Sequence, residues 1–128
     1  MSEPAWVRKE IVLRVHDEQL ATHGGAPGIR DEGLLDSALA RARNAWGYGQ
    51  EDVFLLAALY AGGIMQNHPF IDGNKRTGFL AAYIFLDSNG WELIAEEIEV
   101  VERCLELAAS EIDEAEFAAW LRENVQAL

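Results

Sequence analysis

The segment from Asp52 to Asn67 reads DVFLLAALYAGGIMQN and determines the architecture of the chain. Its apolar residues cover every side of a helix. A helix without a polar face is normally surrounded by other helices, so we place this one at the centre of a bundle. The pair Gly62-Gly63 costs helix stability but allows another backbone to approach closely.

Helical periodicity also dominates before this central segment. Apolar residues from Val7 to Leu20 predict a first helix that ends near Gly24–Gly28. Asp31 is a good N-cap for a second helix. The segment from Asn44 to Gln50 contains two glycines and is predicted to be a loop or short hairpin.

After the central segment, a fourth helix is predicted from about Asn74 to Ser88. Residues 91–95 alternate apolar and polar, which fits a short strand or a return loop. Two acidic amphipathic helices follow, near 97–109 and 113–124. The sequence therefore predicts an all-α bundle of about six helices around a central apolar helix, with room for one short strand or hairpin.

Composition limits the possible classes of protein. The 128 residues are 50% hydrophobic, which excludes intrinsic disorder and predicts a single domain over residues 1–128. The net charge of −12 argues against direct nucleic-acid or membrane binding. No apolar run reaches the ~20 residues of a membrane span, and residues 1–10 do not resemble a signal peptide, so we expect a cytoplasmic protein.

The connector after the central helix carries the candidate chemistry and reads HPFIDGNKRT from His68 to Thr77. Pro69 disfavours a helical conformation at His68, so a side chain that can exchange a proton near neutral pH stands at a helix end. Asp72 offers a hard oxygen ligand suited to Mg²⁺. Gly73 permits a tight turn and close backbone approach.

The helix that begins at Asn74 should present unpaired N–H groups and the positive end of its dipole. Lys75 and Arg76 fall in its first turn. Cations are disfavoured there unless an anion occupies the site. A phosphate with Mg²⁺ would explain the donors, the cations and the carboxylate together, so we predict a nucleotide or phosphate site.

Each of these residues also has an ordinary structural interpretation. His68 could be a satisfied histidine at a helix C-terminus, where the dipole favours its charged form and works against a base. Asp72 could simply cap the following helix. Lys75 and Arg76 could be solvated charges. Their combination in one short connector favours catalysis.

Other residues are predicted to take no part in the chemistry. His16 and His23 have no partner pattern and are expected on the surface or in a turn. Cys104 lies on an apolar stripe and is expected in the core. Trp46 and Tyr48 are expected to be packing residues.

The segment from His68 to Arg76 resembles the signature of the Fic/Doc superfamily, H-P-F-x-[DE]-G-N-[GK]-R, and matches every specified position. The stretch from His16 to Arg43 resembles the Doc (death-on-curing) branch. Members that transfer AMP have glycine at the eighth motif position and a second arginine three residues after the first. This chain has Lys75 and Phe79 there, and both departures are typical of Doc.

The resemblance implies a kinase toxin of a type II toxin–antitoxin system that passes the γ-phosphate of ATP to a threonine of elongation factor Tu and blocks translation. His68 would be the base, Asp72 would hold Mg²⁺, and Arg76 would also spread charge off the transferring group. The nucleotide phosphates would be bound by Gly73, Asn74, Lys75 and Arg76.

The resemblance also implies an anchoring role for Phe70 and a target-binding flap at residues 44–50. Self-inhibited members carry the motif [ST]-x-x-x-E-[GN]. Ser110 and Glu114 match its first and fifth positions, but Ala115 stands where the motif requires glycine or asparagine. An antitoxin of the Phd type, docked on an exposed apolar groove, is therefore the expected partner. Two alternatives stay open: AMP transfer to a protein hydroxyl, and a non-catalytic binding module that retains the motif.

Overall fold

A computed structural model describes residues 2–128 and contains six helices and one pair of short strands. The all-α bundle of about six helices is confirmed. The prediction of one domain over 1–128 stays a prediction, since Met1 lies outside the described residues. The elements are α1 (Lys9–His23), α2 (Glu32–Gly47), α3 (Val53–Asn67), α4 (Asn74–Ser88), β1 (Trp91–Leu93), α5 (Glu97–Ala108), α6 (Glu114–Glu123) and β2 (Val125–Ala127).

Helix α3 is the centre of the bundle, as its sequence predicts. It packs against α2, α4 and α6, and two-thirds of its residues are buried. The side chain of Asp52 caps its first turn by accepting from the amide of Phe54 at 3.0 Å. Helix α3 thus has neighbours on several sides, which is why it needs no polar face.

Two glycines bring the helices beside α3 into near backbone contact. A Cβ at Gly63 would lie 3.2 Å from the Cα and the carbonyl oxygen of Ala38 on α2. A Cβ at Gly78 on α4 would lie 3.0 Å from the carbonyl oxygen of Ala61. The spacing of α3 from both α2 and α4 is therefore set by residues that have no side chain.

The prediction of a loop or hairpin from Asn44 is wrong over its first four residues, because α2 continues to Gly47. Trp46 packs against the core beside Trp6, at 6.4 Å between ring centroids, and this contact favours continuing the helix. One glycine in the last turn costs only about 1 kcal/mol, which such packing offsets. Tyr48 is 95% exposed, so its predicted packing role is wrong, whereas that of Trp46 is confirmed.

The short strand predicted near residue 91 is present and pairs with a strand that the sequence pattern did not indicate. Strand β1 runs antiparallel to β2, with Glu92 opposite Gln126. This pair joins the end of α4 to the end of α6. No helix among residues 2–128 is both long enough and apolar enough to span a bilayer.

Candidate functional site

The connector between α3 and α4, residues 68–73, is called the motif loop here. His68 ends α3 in the left-handed region, with φ 50° and ψ 54°, and its amide donates to the carbonyl of Ile64 at 3.2 Å. Its side chain is exposed. The chain thus leaves the helix at the residue before Pro69, as predicted.

A pocket of about 330 Å³ opens over the motif loop and the first turn of α4. The structure brings together all the predicted site residues around this opening, and the roles assigned to them stay predictions. Lys75 and Arg76 are exposed there. The lining residues are His68, Ile71, Asp72, Gly73, Asn74, Lys75 and Arg76.

Helix α4 begins at the pocket without a capping side chain. Its N-cap is Gly73, with φ 79°, and the carbonyl of Gly73 accepts a hydrogen bond from the amide of Thr77 at 3.0 Å. The interpretation of Asp72 as a helix cap is therefore wrong: its Oδ1 accepts from the adjacent Gly73 amide at 2.8 Å and reaches no amide of α4. The first-turn N–H groups are left for water or a ligand, beside two cationic side chains.

Asn74 lies at the same helix start, but its side chain points into the motif loop. Its Oδ1 accepts from the amide of Phe70 at 3.0 Å, and its Nδ2 donates to the carbonyl of Phe70 at 2.9 Å. The same Nδ2 lies 3.4 Å from Nδ1 of His68. The side chain is 7% exposed, so it holds the loop closed on itself beside the imidazole.

Asp72 is the one carboxylate in the pocket lining. Its Oδ2 lies 3.4 Å from the amide of Ala26, and the side chain is exposed. Among residues 2–128, no three His, Cys, Asp or Glu side chains lie close enough to hold a metal ion. The carboxylate of Asp72 could hold a cation here only together with ligands from a bound molecule or water.

Phe70 is buried beneath the motif loop, 1% exposed, as expected of an anchor. Its ring stacks on His16 of α1, with centroids 3.8 Å apart and an angle of 11° between the rings. His16 is only 3% exposed, and its Nε2 lies 2.8 Å from the carbonyl oxygen of Asp72. The prediction that His16 is a surface or turn residue is wrong. The available signal was its position four residues after the buried Val12, on the same helix face.

The segment before α2 runs along the motif loop. Ile29 pairs with Phe70 in an antiparallel bridge, and the amide of Ile71 donates to the carbonyl of Gly28 at 3.1 Å. The prediction of a flap at residues 44–50 is wrong, since α2 starts beside the loop and its 16 residues carry the chain about 24 Å away. Residues 28–31, and not 44–50, make backbone hydrogen bonds and a β-bridge with the motif loop.

Arg30, in this segment, is a site residue that sequence reasoning did not identify. Its Nε donates to the carbonyl of His68 at 2.7 Å, and its Nη2 donates to the carbonyl of Asn67 at 2.8 Å. Its backbone amide donates to the carbonyl of Pro69 at 2.7 Å. No spacing in the sequence indicates such a contact, because 37 or more residues separate the partners.

A second opening of about 450 Å³, called the apolar groove here, lies between α4 and α5 and reaches Lys75 and Arg76. Cys104 is in its floor, where burial raises the pKa of the thiol to about 12. This confirms Cys104 as a core residue and makes it a poor nucleophile. The apolar lining consists of Phe79, Leu80, Val100, Val101, Cys104 and Leu105.

Comparison with known proteins agrees with the motif. A family model described as Fic/DOC family matches residues 6–86. The chain is 29% identical over 117 residues to the protein named protein kinase doc of Escherichia phage P1, covering 91% of this chain and 92% of that protein. It is 43% identical over 76 residues to the protein named toxin Doc of Mycolicibacterium smegmatis, covering 57% of this chain and 58% of that protein.

Proposed function

The chain belongs to the Fic/DOC family, and we propose that it is a Doc-like toxin that transfers the γ-phosphate of ATP to a threonine hydroxyl of elongation factor Tu and so blocks translation. The name of the phage relative supports the kinase activity, and that of the mycobacterial relative supports the toxin role. We place its action in the cytoplasm, where translation occurs.

The observation that carries the proposal is one open pocket that joins an exposed imidazole to an uncapped helix start with two cations. His68 stands at its rim and would take the proton of the attacking hydroxyl, a role that typically contributes ~10²–10⁴ in rate. The amides of the first turn of α4, with Lys75 and Arg76, would bind the phosphates. Arg76 would also offset charge on the transferring group.

Asp72 fits a Mg²⁺ ion that arrives with the nucleotide, because its exposed carboxylate shares the pocket with the phosphate-binding groups. Asp72 would hold this ion, which would supply positive charge against the phosphates. His16 and Asn74 would hold the loop that carries Asp72, through the carbonyl of Asp72 and the backbone of Phe70.

Two residues favour phosphate transfer over AMP transfer. Lys75 lines the pocket and fills space that a glycine would leave open to a polyphosphate. Phe79 faces the apolar groove, so the position of the second arginine supplies no clamp for the outer phosphates. Transfer of AMP remains the second candidate, because the rest of the motif is common to both reactions.

The apolar groove supports a protein partner of the antitoxin kind. Its α5 wall is exposed, with Val101 at 52% and Leu105 at 51% exposure, and Ile98 at 69% exposure extends this apolar face along α5. An amphipathic helix would bury them, and basic flanks on that helix would suit a chain of net charge −12. We propose an antitoxin of the Phd type as this partner.

The test is a transfer assay with purified protein, elongation factor Tu and ATP labelled at the γ-phosphate. We expect label on the factor, and a loss of about 10²–10⁴ in rate for His68→Gln. Because the His68 side chain is exposed, the melting temperature of the variant should match the wild type.

Label from the α-phosphate would establish AMP transfer instead. Absence of any transfer, together with expression that leaves cell growth unaffected, would leave the binding-module alternative.

A further inference from the structure

Arg30 donates hydrogen bonds to three successive carbonyl oxygens where α3 passes into the motif loop. Its side chain binds those of Asn67 and His68, at 2.8 and 2.7 Å, and its backbone amide binds that of Pro69 at 2.7 Å. The last carbonyls of a helix have no donor within the helix. Arg30 therefore supplies, from another part of the chain, the donors that the end of α3 lacks.

The conformation of His68 makes these contacts consequential. Its φ of 50° and ψ of 54° place a residue with a Cβ in the left-handed region. That region is unfavourable for such residues, and a following proline disfavours helical backbone further. A conformation of this kind persists only where surrounding contacts hold it. The side chain of Arg30 binds the carbonyls of Asn67 and His68, which precede and follow the two backbone rotations of His68.

We propose that Arg30 is a positioning residue, which holds the backbone of His68 left-handed and thereby aims the imidazole into the pocket. This inference rests on the proposed function for its effect on turnover. The guanidinium also sits at the negative end of the α3 dipole and offsets it. Arg30 is absent from the pocket lining, so it would act through His68 and not on the nucleotide.

The test compares Arg30→Gln and Arg30→Lys with a control, Arg14→Gln, which removes the same charge from an exposed position of α1. The readouts are kcat for phosphate transfer, the Kd for ATP, and the Cα chemical shift of His68 by NMR, assigned by comparison with His68→Gln. We expect Arg30→Gln to lower kcat by about tenfold to a hundredfold with ATP affinity nearly unchanged. Its His68 shift should move away from the left-handed value.

Arg30→Lys keeps the charge and one donor, so we expect partial rescue of both kcat and the shift. Arg14→Gln should match the wild type throughout. The proposal is overturned if Arg30→Gln retains full kcat and the wild-type His68 shift, or if kcat, ATP affinity and melting temperature all fall together. Should Arg30→Gln not fold, the lysine variant decides by the same readouts. If the wild type transfers no phosphate, the proposed function fails, while the chemical shift still decides whether Arg30 positions His68.

Discussion

Replacement of Asn74 by alanine should damage both stability and turnover, by an amount that follows from its contacts. The side chain bonds the amide of Phe70 at 3.0 Å and its carbonyl at 2.9 Å, and Phe70 is 1% exposed. Alanine leaves both groups without a partner. A buried polar group that loses its partner costs about 1–3 kcal/mol, so for the two groups we expect Asn74→Ala to lower the free energy of unfolding by about 2–6 kcal/mol. The free energy of unfolding of a domain is about 5–15 kcal/mol, so the variant should stay folded over most of this range.

The assay is urea unfolding followed by tryptophan fluorescence, run beside phosphate transfer under conditions where the variant is folded. Asn89→Ala is the matched control. Asn89 also makes three side-chain hydrogen bonds, to Ala5 and Phe85, but at the other end of α4. The control should lose stability and keep its kcat, whereas Asn74→Ala should lose kcat as well because the loop beside His68 is released.

Unfolding of Asn74→Ala at the wild-type urea concentration would contradict this expectation, and so would an equal loss of kcat in both asparagine variants. The first result would mean that the Phe70 backbone finds other partners. The second would mean that α4 transmits any loss of stability to the site.

Two further comparisons have expected outcomes, one between two glycine variants and one between the wild type and Cys104→Ala. Gly63→Ala should lower the free energy of unfolding by about 1–3 kcal/mol, because its Cβ would lie 3.2 Å from the backbone of α2. A Cβ at Gly47 meets nothing within 4 Å, so Gly47→Ala should raise the free energy of unfolding by about 0.5 kcal/mol. Thermal unfolding of the two variants tests the difference. Burial raises the pKa of the Cys104 thiol from 9.0 to about 12, so as the pH rises the unfolded chain loses this proton before the folded chain does. The contribution of the thiol to the free energy of unfolding should therefore be constant well below pH 9 and fall above it, by about 1.4 kcal/mol at pH 10. Cys104→Ala should lack this component, as the difference between the two unfolding curves at pH 7.5 and 10 will show, and an equal slope for both proteins would contradict it.

The helices could be predicted because their signals are local. Asp31 and Asp52 both cap the helices that follow them, by accepting from Leu34 and Phe54 amides at 3.0 Å. The central position of α3 follows from its lack of a polar face. Strand β2 could not be predicted, since three residues carry no periodicity and its partner lies 34 positions earlier.

Only the part of the candidate site whose residues are adjacent in the sequence could be predicted. Residues 68–76 lie side by side in the sequence, so their common pocket follows from one turn between two helices. His16 and Arg30 reach this turn from α1 and from the segment before α2, through contacts to the carbonyls of Asp72 and His68. Backbone carbonyls are the same at every residue, so no side-chain pattern marks them as partners.

The close approach of α3 and α4 at Gly78 has a consequence for the length of the connector. Because a Cβ at Gly78 would lie 3.0 Å from the carbonyl oxygen of Ala61, α3 and α4 have no room for a larger side chain at this contact. We therefore expect the connector 68–73 to tolerate a changed side chain better than an added or deleted residue, which would strain this contact. Residues 24–28 are all exposed, so a change of length there would disturb fewer buried contacts than one in the connector.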